Sequence, residues 1–249
     1  MKKIVWLLFL FTAACNTPGK RLAIATAANV QFAMEDLVKE FEKETSIACE
    51  IILGSSGQLT AQITEGAPYD VFVSANMMYP EDLYKKGLTV KAPEIYANGV
   101  LILWTLQDQQ DISFGQLKDN SIKHIAVANP KTAPYGEAAI QTLDQLQLLE
   151  EIKDKLVYGE SISQTNQFII SGSADIGFTA KSVVVSDEMK DKGTWIEVPD
   201  TLYNPIAQGV VVIKREGSDK AQKFATFLLS NKARQILDAY GYNVSQGNE

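Results

Sequence analysis

The chain has few of the residues from which catalytic and metal sites are built. It carries one histidine, His124, and two cysteines, Cys15 and Cys49. One histidine and no cysteine cluster leave too few nitrogen and sulfur ligands for a zinc site. No phosphate-binding P-loop and no G-x-S-x-G nucleophile elbow occurs, and "GSSG" at 54–57 and "SGS" at 171–173 lack the elbow's spacing and setting. His124 opens the apolar run "HIAVAN" and reads as a strand-edge residue. Positive charge is also short: 23 Lys and Arg stand against 30 Asp and Glu, for a formal charge of −7. Such a chain repels nucleic acid and anionic membrane surfaces. It repels small anions too, so any anion site must work by local geometry. No apolar run is long enough to span a bilayer, and neither an internal repeat nor a long low-complexity segment is visible.

What the chain does have begins with "MKKIVWLLFLFTAACNTPGK". Lys2 and Lys3 precede an apolar stretch at 4–11, and small residues lead into Cys15. This pattern is that of a secretory signal peptide over residues 1–14. Cys15 then becomes the lipid attachment site, and 15–20 a lipid-anchored linker. Removing the leader deletes two lysines and no acid, which takes the formal charge from −7 to −9. With Cys15 acylated, Cys49 is left alone, so no intramolecular disulfide forms. In "SIACEIIL" it alternates with apolar residues and is expected as a small buried hydrophobe.

The remaining length, about 235 residues, suits one large domain or two of about a hundred residues. "RLAIATAANV" is a β-like run, and Met34, Leu37, Val38 and Phe41 then recur at helical spacing. "SIACEIILG" is a second strand, Leu59 and Ile63 mark a short helix that stops at Gly66, and "YDVFVSAN" is a third strand. Strand, helix, strand, helix, strand is the rhythm of a parallel α/β sheet. "GVLILWTL", "HIAVAN", "DKLVYG" and "ADIGFTA" repeat it, and "AQGVVVIKR" with two helices closes the chain. The expected fold is α/β with two lobes. Lobe I takes 21–98, lobe II takes 99–207, and 208–249 returns to complete lobe I.

Four strand-to-helix junctions are polar and uncharged. They end at Asn29, at Ser55-Ser56, near Tyr135-Gly136 and near Ser161-Ile162. In α/β sheets ligands gather at the carboxyl ends of strands. A helix start offers unpaired N–H groups and about half a positive charge. Several starts facing one another hold a dianion without lysine or arginine. A site made of donors also favours a fully deprotonated oxyanion, because no acceptor awaits a proton. Asn29 is read here as a helix N-cap. Asp70, Glu137, Glu160 and Asp175 are isolated at element boundaries and form no catalytic pair.

The stretches "ATAANVQFAMEDLVKEFEKET", "GSSGQLTAQITEGAPYDVFVSAN", "ANPKTAPYGEAA", "GESISQTNQFIISGSADIGFTAKS" and "YGY" resemble, in order, the molybdate/tungstate-binding proteins of ABC importers. The resemblance spans nearly the whole chain and is most specific from Ser55 to Ala75. It implies a type II periplasmic binding protein fold, with the ligand cleft between the lobes and no cofactor or chemical step. It implies molybdate or tungstate as ligand, an ABC permease as partner, and a monomer. Matched residue by residue, Asn29 and Ser56 face the anion from lobe I, and the backbone N–H groups of Tyr135 and Ile162 from lobe II. The sequence departs from the pattern at Ala180, where some relatives place a tyrosine hydroxyl. Tyr135 or Thr179 is the candidate replacement.

Two alternatives stay open at this point. Sulfate has the charge and shape of molybdate, and phosphate is disfavoured because it needs an acceptor for its proton. A secreted interaction module with no small ligand explains an anchor but not the repeated donor-rich junctions. A ferric site needs converging phenolates and carboxylates, and Tyr240 and Tyr242 read instead as packing or surface residues.

Overall fold

The computed structural model describes residues 21–107, 112–216 and 218–244. The leader, Cys15 and the 15–20 linker lie outside the described residues.

The first part of the chain builds β1 (Leu22–Ala27), α1 (Gln31–Thr45), β2 (Cys49–Gly54), α2 (Ser56–Thr64), β3 (Val71–Val73), α3 (Met78–Lys85) and β4 (Glu94–Gly99). A single residue, Val100, separates β4 from β5 (Leu101–Thr105). Then come β6 (Ile125–Ala128), α4 (Pro134–Gln145), α5 (Leu149–Ile152), β7 (Leu156–Gly159), α6 (Ile162–Ile170), β8 (Ile176–Ala180), α7 (Lys181–Val184) and β9 (Thr194–Glu197). The chain ends with β10 (Ile206–Val212), α8 (Asp219–Leu228) and α9 (Asn231–Ala239).

The strands form two five-stranded sheets, ordered β2-β1-β3-β10-β4 and β7-β6-β8-β5-β9. These are the sheets of two lobes. Their orders correspond position for position: β6 takes the place of β1, β7 of β2, β8 of β3, β5 of β10 and β9 of β4. In each sheet four strands run in one direction, while β10 and β5 run antiparallel to both neighbours. The sheets are therefore mixed, where the βαβ rhythm alone predicts parallel ones. The reason is the crossing. β4 runs into β5 almost without a turn, and β10 returns beside β4 with Ile206 opposite Gly99.

Alternation along the central strands divides the core of the first lobe, since successive strand residues face opposite ways. Val71 and Val73 pack with Met34, Leu37 and Phe41 of α1 and Phe224 and Leu237 of α8 and α9. Phe72, between them, packs with Leu59, Ile63 and Leu83 on the opposite face. Phe41 and Phe224 meet edge to face, with ring centroids 5.1 Å apart. The second lobe closes around Leu101–Trp104 of β5 and the apolar faces of α4 and α6. Cys49 is buried, as its alternation predicts, and burial pushes its thiol up to about 12.

Register brings the helix starts together. Ala27 of β1 lies opposite Gly54 of β2, so the chain enters its next helices from two level strand ends. Ala128 of β6 and Gly159 of β7 are level in the same way. Two helix starts from each lobe thus open on one cleft.

Candidate functional site

The α2 start divides its two serines between two tasks. Ser55 is the N-cap. Its Oγ accepts from the Gln58 N–H, and the Gln58 side chain accepts from the Ser55 N–H, both at 3.4 Å, which makes a capping box. Ser56 is the first helical residue and is buried. Its Oγ accepts from the Ala75 N–H at 2.9 Å, so the hydroxyl proton remains available to donate elsewhere.

At α4, Pro134 brings no N–H, and Gly136 and Glu137 both donate to the Ala133 carbonyl. The Tyr135 N–H is left without a partner among the described residues. At α6, the Ser161 Oγ accepts from the Gln164 N–H, and Ile162 follows as the first helical residue. Its N–H has no intrahelical acceptor. A 3₁₀ turn at Ala28–Val30 continues β1 into α1.

Asn29 does not cap this helix, contrary to its reading as an N-cap. Its Nδ2 donates to Gln208 Oε1 at 3.0 Å and to the Tyr242 hydroxyl at 3.3 Å. Its carbonyl accepts from the Tyr242 hydroxyl at 2.8 Å and from Ser182 Oγ at 2.7 Å. The side-chain amide is thus engaged behind the site, and the backbone N–H is the donor left for the cleft. The amide has better acceptors in the core than in its own first turn.

These elements enclose a cavity of about 10 Å³, lined by Ala27, Ala28, Asn29, Ser55, Ser56, Ala75, Ala133, Pro134, Tyr135 and Ile162. All four residues singled out in the sequence therefore line one space. It is closed by contacts between the lobes. The Gly57 N–H donates to the Thr132 carbonyl at 2.9 Å, the Tyr79 hydroxyl to the Lys131 carbonyl at 3.2 Å, and Ser163 Oγ to Gln31 Oε1 at 3.3 Å.

The electrostatics are those of neutral donors. No Asp, Glu, Lys, Arg or His is buried among the described residues, although fifteen neutral polar residues are. No group of three or more His, Cys, Asp or Glu able to hold a metal ion occurs there either. Burial, and then the nearby Tyr242, pushes Tyr96 and Tyr135 far above the usual phenol range, and burial does the same to Tyr242. All three are neutral hydroxyls.

Thr179 does not replace the hydroxyl absent at Ala180, because its proton is already given to a neighbour. Thr179 Oγ1 donates to Asn166 Oδ1 at 2.6 Å, and the Tyr135 hydroxyl accepts from Gln208 Nε2 at 3.1 Å. Glu160 stands at the rim, exposed, accepting from Gln58 Nε2 at 3.4 Å across the lobes. Asp175 is structural: it accepts from the N–H groups of Lys123 and His124, at 2.7 and 2.9 Å. Gln208, Tyr96, Tyr242 and Ser182 were not singled out from the sequence as site residues. Gln208 had a signal, as the lone amide in the apolar strand "IAQGVVV".

Two lobes of matching strand order, with helix starts converging on a cleft between them, are the architecture of a two-lobed solute-binding protein. Residues 22–243 match the pattern of the bacterial extracellular solute-binding protein family, and the chain belongs to that family. Among its relatives, the molybdate-binding protein ModA of Azotobacter vinelandii is 40% identical over 234 residues, covering 93% of each chain. ModA of Rhodobacter capsulatus is 37% identical, covering 88% of this chain and 86% of its own. The solved periplasmic molybdate-binding protein of Azotobacter vinelandii superposes with a TM-score of 0.86 at 35% identity, covering 91% of this chain and all of that one.

Proposed function

We propose that this protein captures molybdate, and tungstate with it, outside the cytoplasmic membrane and delivers the anion to the permease of an ABC importer. The observation that carries this reading is the cavity itself: small, closed between lobes, and lined by helix starts without a buried charge. The relatives named molybdate-binding proteins point to the same ligand.

In this reading lobe I comprises 21–98 and 208–249, and lobe II comprises 99–207. The backbone N–H of Asn29 and the hydroxyl and N–H of Ser56 receive the dianion from lobe I. The N–H groups of Tyr135 and Ile162 receive it from lobe II. Only the closed form makes both sets of bonds, so the ligand favours closure by its differential affinity for that form. Closure removes water and strengthens each bond. Binding and release are the whole function, with no chemical step and no cofactor. Cys15 carries the lipid that holds the monomeric protein at the membrane near its permease.

Thermal unfolding of residues 16–249 with molybdate, tungstate, sulfate and phosphate at equal concentrations tests the reading. A ligand at a hundred times its dissociation constant stabilises by about 2.7 kcal/mol, a clear rise in midpoint. Molybdate and tungstate alone should produce it. A rise only with sulfate or phosphate keeps the fold and overturns the ligand, and no rise with any of them leaves the interaction module.

A further inference from the structure

Behind the cavity lies a chain of hydrogen bonds whose direction is set at every link. The Tyr242 hydroxyl gives its proton to the Asn29 carbonyl, so it accepts from the Asn29 side chain, which orients that amide with Nδ2 toward it. Nδ2 donates onward to Gln208 Oε1, which also receives the Tyr96 hydroxyl at 2.5 Å. Gln208 Nε2 is thereby turned to the Tyr135 hydroxyl and donates to it at 3.1 Å. Gln208 is 0% exposed and sits on β10, beside the crossing between lobes. Gly99, at the crossing, leaves the room: a Cβ there would lie 2.1 Å from the Tyr135 hydroxyl and 2.5 Å from Gln208 Nε2.

Asn29 and Tyr135 start helices in opposite lobes, and Gln208 bonds to both. An unpaired amide at such depth is costly, so all three groups favour the arrangement in which each is satisfied. We propose that Gln208 is a positioning residue of the anion site, setting the Asn29 and Tyr135 helix starts at their closed separation so that their N–H groups meet one ion. This rests on the oxyanion-binding reading above.

The test uses the full chain, with the wild type titrated beside Gln208→Glu and Tyr135→Phe. Molybdate affinity is measured by calorimetry from about pH 5.5 to about pH 8.5, together with the ligand-free unfolding midpoint. A protonated carboxyl offers an acceptor and a donor where the amide did, and burial keeps such a carboxyl protonated well above its usual range. The groups bonded to Gln208 are Tyr96 from β4, Tyr135 from α4 and Asn29 from the 3₁₀ turn, and Tyr242 beyond α9 bonds to Asn29 in turn; all are neutral throughout.

Gln208→Glu should bind within about threefold of wild type at the acid end and lose roughly tenfold or more as its carboxyl ionises. The wild type stays flat over that range. Tyr135→Phe keeps the backbone N–H yet should weaken binding by about five- to tenfold. Wild-type affinity in Tyr135→Phe, with a Gln208→Glu profile as flat as wild type, makes Gln208 core filling and overturns the proposal, even if both midpoints fall. A wild type that binds no oxyanion is a separate result, and it removes the reading on which this one stands.

Discussion

The Gly57 N–H donates to the Thr132 carbonyl at 2.9 Å, tying the first turn of α2 in one lobe to the loop before α4 in the other. A Cβ at Gly57 would lie 2.9 Å from Thr132 Cα and 3.0 Å from the Tyr79 hydroxyl. The contact is between backbones, and it sits next to Ser56. Gly57→Ala should therefore hold the lobes apart and weaken ligand binding by roughly tenfold, the equivalent of about 1.4 kcal/mol. The ligand-free midpoint should hardly change. Calorimetry and small-angle scattering check it: an affinity equal to wild type, with normal compaction on ligand addition, would show that closure tolerates the side chain.

Ser56→Ala should produce two separable losses. Its hydroxyl accepts from the Ala75 N–H, so its removal orphans a buried donor and lowers ligand-free stability by about 1–3 kcal/mol. Loss of its proton from the anion costs a similar amount in affinity, about five- to hundredfold. Unchanged affinity with a lowered midpoint would confine Ser56 to the first role.

Salt should act in an unusual direction for an anion site. The chain's formal charge is −7 and no cationic side chain is buried among the described residues. Added salt screens the long-range repulsion. Raising sodium chloride from about 20 mM to about 300 mM should leave affinity unchanged or slightly improved, with faster association in stopped flow. A steep loss of affinity would reveal a cation in the site.

Asp175 offers a pH test of stability that does not touch the cleft. Burial pushes its carboxyl up, but the N–H groups of His124 and Lys123, the nearby His124 and the Gln107 amide outweigh this and hold it below its usual value of 3.8. A depressed folded-state value means the contribution is complete above the unfolded value and is lost as pH falls through the folded one. Asp175→Asn should lower the unfolding midpoint at neutral pH. The gap from wild type should then narrow below about pH 4. A gap that is constant down to acid pH would mean that the carboxylate's charge contributes nothing.

Glu160→Gln should change affinity less than about threefold. Its one cross-lobe bond, to Gln58 at 3.4 Å, is long and solvent-exposed. A large loss in a titration would put Glu160 in the first layer around the ion.

Much of the site was legible from short-range chemistry. Ser55 caps because serine three residues before Gln58 satisfies two backbone donors, a relation within one turn. The α1 face of Met34, Leu37 and Phe41 follows from the helical period, and Glu137 takes the first turn of α4 as the dipole favours. Helix starts at Ser56, Tyr135 and Ile162 follow from strand ends, a proline and a serine cap. The neutral, donor-rich character of the cleft was visible in the same letters.

The sequence by itself thus determined the elements, their caps and the donors they expose, because each depends on neighbours a few residues away. Only the tertiary structure decided which donors face one another. Asn29 meets Gln208 across 179 residues of chain and Tyr242 across 213, and no local pattern encodes either pairing. For that reason Asn29 reads as a cap in the sequence and proves to be a buried link, its Nδ2 drawn inward by two distant acceptors. The correspondence between the two sheets is likewise tertiary. Strand order is set by how apolar faces pack, so two lobes without a visible repeat arrive at the same order and bring their helix starts to one closed cavity.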